Sequence, residues 1–242
     1  EFRRVLFRSA VIIGSTMSSC KKDNDKAASC KIVTITQSSS GTNSTINISY
    51  NNDGKISTLS TSGSGATNKV FTYSGNTVIV NGTSGSSFSS RDSISINAKG
   101  KPLNIRQFHN EAGTNWTNYS FEYNGDDLLK FHQTDDASSS PETSVATYTN
   151  GNMVSLQSPT GTANVEYFTD KKVQPGDYLE LAALIQYGLS VYPHKNLVKT
   201  IDSGSGNITN FNYEFNADGT ISKVTATSGT TVSTLTYQYI CD

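Results

Sequence analysis

One local pattern recurs along this chain and limits what it can fold into. Two bulky residues flank a small or polar one, a cluster of Asn, Asp and Gly follows, and an apolar residue restarts the chain. Ile48-Ser49-Tyr50 leads into Asn51-Asn52-Asp53-Gly54 and Ile56, and Phe71-Thr72-Tyr73 into Ser74-Gly75-Asn76 and Val78. Phe121-Glu122-Tyr123 leads into Asn124-Gly125-Asp126 and Leu128, and Tyr213-Glu214-Phe215 into Asn216-Ala217-Asp218-Gly219 and Ile221. Ile94-Ser95-Ile96 before Asn97-Ala98-Lys99-Gly100 and Tyr148 before Thr149-Asn150-Gly151 are looser copies, and Tyr237-Gln238-Tyr239 repeats the triplet in the last strand. Alternation puts both bulky residues on one face of a strand. Gly and Asn accept the positive φ that tight hairpin turns require. Turns spaced by roughly 25–40 residues predict a mainly all-β fold, a curved antiparallel β-meander of about 14–16 strands.

The polarity of the chain fits such a sheet with one wet face. Charged residues are only 16% of the sequence, while 35 Ser and 29 Thr are interleaved with the apolar positions. Pro is too scarce, at 5, for a Ser/Thr-rich stalk. A net charge of -1 excludes the basic surplus of a nucleic-acid binder.

One segment breaks the alternation. Asp177-Tyr178-Leu179-Glu180 reads as an N-cap with an acidic partner three residues on, and Pro175 and Pro193 bracket the segment. Tyr178, Leu181, Ala182, Ile185 and Leu189 fall at helical spacing, and Leu179 and Leu184 widen that face. The spacing predicts one buried α-helix near 177–190, packed into the concave face of the sheet.

The N-terminal region reads differently. Glu1 to Ser9 is expected to be a non-native sequence artefact and no part of the fold. Residues 10–19 read as the end of a secretory signal peptide, too short to span a bilayer. Met17-Ser18-Ser19-Cys20 resembles the lipobox of bacterial lipoproteins, which implies cleavage before Cys20 and a diacylglycerol on its thiol. Residues 20–29 would then be the lipidated cysteine and a tether, and 30–242 a single β-meander domain. Lys21-Lys22-Asp23-Asn24-Asp25 resembles the export signal of Bacteroidota surface lipoproteins. These resemblances imply a lipid anchor in the outer membrane, facing the cell surface, with the periplasmic face as the alternative.

With Cys20 lipidated, Cys30 and Cys241 remain. In an oxidising envelope they are expected to form a disulfide between neighbouring strands. It closes a loop of about 210 residues, of order 4–5 kcal/mol in chain entropy. The β pattern from Cys30 to Cys241 resembles the β-repeat domains of unknown function in Bacteroidota lipoproteins. It is distantly similar to the tyrosine–aspartate repeats of Rhs proteins, which build β-sheet shells. A turn motif specifies structure, so no functional residue carries over from either.

Few residues suggest chemistry. His109 and His132 close neighbouring predicted strands with Asp135 and Asp136 behind them, but zinc needs three or four converging ligands. The expectation is solvated strand-end histidines and no metal or cofactor. Asp126-Asp127 and Asp135-Asp136 each point to opposite faces of a strand, unlike a glycosidase pair. Gly-x-Ser-x-Gly, phosphate-loop and His-Glu-x-x-His motifs do not occur, so no enzyme is expected. The candidate ligand contacts are Trp116 and Tyr119. Tyr119, Phe121 and Tyr123 share one face by parity. Trp116 has the opposite phase, towards solvent near Asn115 and Asn118, where it either stacks on a sugar ring or packs under a loop. The expected function is a surface binding module for a glycan or peptide. The alternative is a structural or partner-binding outer-membrane lipoprotein, a lipid carrier included.

Overall fold

The computed structural model describes residues 30–63, 66–138, 140–204 and 206–241. Cys20, the signal-peptide and tether expectations and residues 1–9 lie outside the described residues. The first half comprises strands β1 (Cys30–Ser39), β2 (Thr42–Tyr50), β3 (Ile56–Ser62), β4 (Thr67–Ser74), β5 (Thr77–Ser84), β6 (Ser87–Ile96), β7 (Pro102–Phe108) and β8 (Trp116–Asn124). The second comprises β9 (Asp127–Asp135), β10 (Glu142–Thr149), β11 (Asn152–Ser158), β12 (Gly161–Lys172), α1 (Tyr178–Tyr187), β13 (Asn196–Asp202), β14 (Ile208–Phe215), β15 (Ile221–Ser228) and β16 (Thr231–Cys241).

Each strand pairs antiparallel with its sequence neighbours, and β1 also pairs with β16, so the sheet closes into a barrel of 16 strands. The expected curved meander is corrected on this point to a closed barrel. Closure leaves no strand edge with unpaired N–H and C=O groups. A disulfide joins Cys30 to Cys241, which face each other in the β1–β16 register. The chain therefore enters and leaves at one end of the barrel, the terminal end.

The repeated motif builds that end. Asn51 Oδ1 accepts the N–H groups of Asp53 and Lys55, and Asn97 Oδ1 those of Lys99 and Lys101. The glycines that finish these turns sit at φ of 74° and 77°, conformations in which a Cβ is strained. The register slips by one residue after such turns, at Tyr50/Ile56, Ile96/Pro102, Tyr123/Leu128 and Phe215/Ile221. These are β-bulges, which bend and twist a sheet as closure requires. Four of the motif tyrosines then tie down the strand before them. Tyr50 donates to the Ile32 carbonyl at 2.7 Å, Tyr73 to Ile56 at 2.9 Å, Tyr123 to Pro102 at 2.8 Å and Tyr239 to Ile221 at 2.8 Å.

The two faces of the wall differ sharply. Inward positions carry Ile35, Leu59, Val78, Val80, Ile94, Ile105, Val198 and Val224, all buried. Outward positions are mostly Thr, Ser and Asn, with Lys199–Glu166 and Lys223–Glu214 ion pairs bridging strands. The exposed large apolar residues Val70, Leu103, Leu129, Ile208, Phe215, Val232 and Ile240 are scattered over β4, β7, β9, β14 and β16.

Helix α1 lies within the ring. Tyr178 stacks on Phe211 of β14 with centroids 4.5 Å apart, Tyr237 of β16 donates to the Gly176 carbonyl, and Lys69 of β4 donates to the Ile185 and Gln186 carbonyls. Contacts on opposite sides of the barrel place the helix in the lumen instead of on a concave face. The lysine stands where the helix dipole is negative. Gly188 ends the helix in the left-handed region (φ 70°), and a Cβ there would meet the Phe71 ring at 2.6 Å. Asp177 is the N-cap, as its spacing suggests. The capping box is incomplete, because the Asp177 N–H donates to Gln174 and not back to Glu180. Ala182 is exposed, contrary to its expected place on the buried face.

Candidate functional site

The segment from Gln174 to Lys195 forms a plug anchored on a buried polar cluster. Asp177 Oδ1 accepts the Leu179 and Glu180 N–H groups and lies 2.8 Å from His194 Nε2. Its Oδ2 accepts the Val198 N–H at 2.9 Å and the Tyr213 hydroxyl at 3.1 Å. His194 Nδ1 faces the Tyr192 carbonyl at 2.7 Å. Both ring nitrogens thus meet oxygens that only accept, so both carry protons and the imidazole is cationic. Burial pushes the Asp177 carboxyl up, but His194 and the N–H groups of Val198 and Glu180 outweigh it and hold the group below the usual range. Burial likewise lowers His194, and Asp177 more than reverses that. Side-chain exposures of 0% and 2% leave no room for a substrate, so this pair fastens the plug.

The helix divides the lumen. Towards the terminal end its Leu181 and Leu184 pack near Ile32 and Tyr50, and Leu184 and Leu189 near Ile56, Tyr73 and Ile96. In the other half, inward positions become polar or small: Gln37, Ser39, Thr61, Ser90, Gln107, Thr117, Ser228 and Ser233. These inward side chains retain access to water, so this half is an open, hydroxyl-lined vestibule. A pocket of about 220 Å³ there is lined by Gln37, Tyr178, Thr209, Ser228 and Leu235. Asp92, on β6, is at 2% exposure, and its Oδ1 has no hydrogen-bond partner among the described residues. Burial raises the Asp92 carboxyl to about 6, against the pull of Lys69, Gln107 and His109.

The outer wall departs most strongly from its hydroxyl pattern at one place. Arg91, Phe108 and Trp116 stand in one row across β6, β7 and β8, because Arg91 pairs with Phe108 and Phe108 with Trp116. Arg106, two residues before Phe108, lays its guanidinium 4.1 Å from the Trp116 ring centroid. Arg91 lies 4.6 Å and Arg106 5.6 Å from the Phe108 centroid. Trp116 is half-buried on this outer surface.

Tyr119 does not join it. Its partners in the register are Ile105 and Gln133, its ring meets Phe131 at 6.3 Å, and it faces the lumen. Trp116 and Tyr119 therefore belong to opposite faces of the wall.

No protein-family model matches this chain, and no curated protein does. Solved structures resemble it. A porin-like protein from Bacteroides uniformis superposes with a TM-score of 0.64 at 15% identity, covering 86% of this chain and 98% of that one. A porin-like protein from Bacteroides vulgatus gives 0.60 at 13%, with the same coverages of 86% and 98%. The likeness is one of fold.

The histidines separate by environment. His132 is on the outer wall, 2.9 Å from Glu122 and 2.8 Å from Thr143, and His109 is exposed beside Thr117. His194 is buried. Among the described residues no three His, Cys, Asp or Glu side chains stand together as a metal site would need. The plug cluster escaped sequence reasoning because Asp177, His194 and Tyr213 are far apart in the chain. Its one local signal was a histidine just before the apolar run Leu197-Val198.

Proposed function

We propose that this chain is a lipid-anchored cell-envelope protein whose barrel stands in water and binds a glycan or peptide on its outer wall. The observation that carries the reading is the polarity of the wall. A membrane-spanning barrel needs an outward apolar band about 25 Å tall, and an Arg or Lys at its midplane costs about 2–4 kcal/mol. Here the outward face carries Arg106, Lys130, Glu166, Lys199 and Lys223 among hydroxyls. The helix across the lumen also argues against conduction. The porin-like neighbours support an outer-membrane setting, and Cys20, ten residues before Cys30, would supply the attachment at the terminal end. The barrel would face the cell surface, with the periplasm as the alternative. No catalytic role is part of the proposal.

The apolar cleft of about 300 Å³ between Tyr50, Ile56, Tyr73, Ile96 and Leu189 favours a second reading, a structural or lipid-carrying envelope protein. One set of measurements separates these readings. The purified protein is screened by thermal shift against neutral and acidic glycans, peptides and lipids, and is added to planar bilayers. Saturable stabilisation by a glycan or peptide without stepwise conductance is expected. Stabilisation by lipids alone supports the carrier, and reproducible conductance steps overturn the water-standing barrel.

A further inference from the structure

We propose that the Arg91–Phe108–Arg106–Trp116 surface binds an acidic glycan, a sugar chain bearing carboxylate or sulfate groups. This rests on the outer-wall reading above and names its ligand. From Cys30 onward the sequence contains two arginines and one tryptophan, and all three converge on this surface. Histidines aside, every other cationic side chain of the barrel is a lysine. Three outer-wall lysines lie beside carboxylates: Lys199 with Glu166, Lys223 with Glu214, and Lys130 opposite Glu122. Arg91 and Arg106 form no ion pair among the described residues.

The chemistry comes from that arrangement. A guanidinium lying on an aromatic ring is held flat and partly dehydrated, and its N–H fork points sideways. That fork matches the paired oxygens of a carboxylate or sulfate, which a lysine meets only as a point charge. The Nε of Arg106 is buried without a partner, so the group is oriented by the rings and not by a protein acceptor. Arg91 lies opposite Phe108 and Arg106 opposite Ser93, so the two cations are diagonal neighbours across β6 and β7. Such positions are about 7–8 Å apart, one for each of two charged units on an extended chain.

The surroundings favour a sugar over a peptide. Ser93, Asn104, Asn118, Ser120 and Thr134 continue the outer wall on both sides and offer donors and acceptors to hydroxyls. None of the pockets described above is lined by Arg91, Arg106, Phe108 or Trp116, whereas protein and peptide interfaces use apolar pockets as anchors.

The test measures binding of the purified protein to polygalacturonate and chondroitin sulfate, with dextran as the neutral glycan and poly-glutamate as the acidic peptide. Arg91→Gln/Arg106→Gln is compared with Lys199→Gln/Lys223→Gln, which removes the same charge elsewhere on the wall, and melting curves confirm that both fold. The arginine variant should lose at least tenfold in affinity for the acidic glycans, and the lysine variant less than twofold. Arg91→Lys/Arg106→Lys should restore little, and Trp116→Ala should also weaken binding. Equal losses in the two neutralised variants would overturn the site as diffuse charge. Equally tight, arginine-dependent binding of poly-glutamate would make the ligand a peptide and refute the glycan. Binding of dextran alone, indifferent to the arginines, sinks this inference but leaves the outer-wall binding module standing. A protein that binds no glycan or peptide of any kind sinks both.

Discussion

Removing the Asp177 carboxylate should release the plug, and the structure sets the size of the loss. Asp177→Ala deletes the N-cap of α1, a change that costs about 1 kcal/mol. It also strands the Val198 N–H and the Tyr213 hydroxyl, each buried with Asp177 Oδ2 as its acceptor. A buried donor without an acceptor costs about 1–3 kcal/mol. The sum is about 5 kcal/mol, a large fraction of the roughly 5–15 kcal/mol of a typical domain. Asp177→Asn keeps an acceptor oxygen and a cap and should lose less. The pH dependence separates the ionic part. The Asp177 carboxyl is depressed in the folded state, so its contribution is present above the unfolded value of about 3.9 and is lost as pH falls through the folded value. His194 is raised, so its contribution is full below about 6.5 and is lost as pH rises through the folded value. The pair therefore stabilises most between about pH 4 and 6.5. Urea unfolding followed by far-UV circular dichroism at pH 3, 5.5 and 9 reads this directly. The gap between wild type and Asp177→Asn should be widest at pH 5.5 and narrow at both extremes. An Asp177→Ala midpoint within 1 kcal/mol of wild type at pH 5.5 would refute the reasoning.

Four further outcomes are expected. Asp92 is raised to about 6, so its folded state disfavours the charge and stability falls as pH rises from about 4 to 6. Asp92→Asn should therefore stabilise the protein at pH 7.5 by up to about 3 kcal/mol, with the gain vanishing in melts below pH 4. Cys241→Ser opens the β1–β16 disulfide across a sequence separation of 211. It should cost up to about 5 kcal/mol in chain entropy, seen as a melting point lower by about 10 °C or more. Leu181→Asp puts a charge where exposure is 3% and should leave no cooperative near-UV transition. Tyr50→Phe removes one hydroxyl-to-carbonyl tie and should cost about 1 kcal/mol in urea, with an unchanged spectrum.

Much of this architecture is written in local physics. The Asn-x-x-Gly turns, the triplet alternation and the N-cap at Asp177 are short-range features, and each appears where its residues are. Closure is not local. A meander of hairpins can stay open or close with the same strands, and the deciding contact lies between residues 30 and 241. Expecting those cysteines on neighbouring strands already demanded that the first strand meet the last, which is closure. Trp116 was legible as an outward residue from parity alone. Its partners were not, because Arg91, Arg106 and Phe108 join it only through the registers of β6, β7 and β8. Asp92 left a fainter trace, a carboxylate in the phase of Ile94.

The inside and outside of the wall together constrain what the barrel can do. Sixteen strands enclose more space than wall side chains alone fill, and barrels of that size elsewhere carry water through it. In this chain one short helix, fixed by a buried ion pair and capped by Lys69, occupies the lumen. Its anchors come from β4, β13, β14 and β16, so moving it aside breaks contacts on several walls at once. That makes the plug part of the fold and not a gate. Outside, a wall of threonine and serine has little affinity for hydrocarbon, and a ring without edges offers no strand for another chain to extend. Under the proposed binding role, recognition would fall to side chains that break the hydroxyl pattern. On the outer wall the two arginines and the tryptophan do so most strongly.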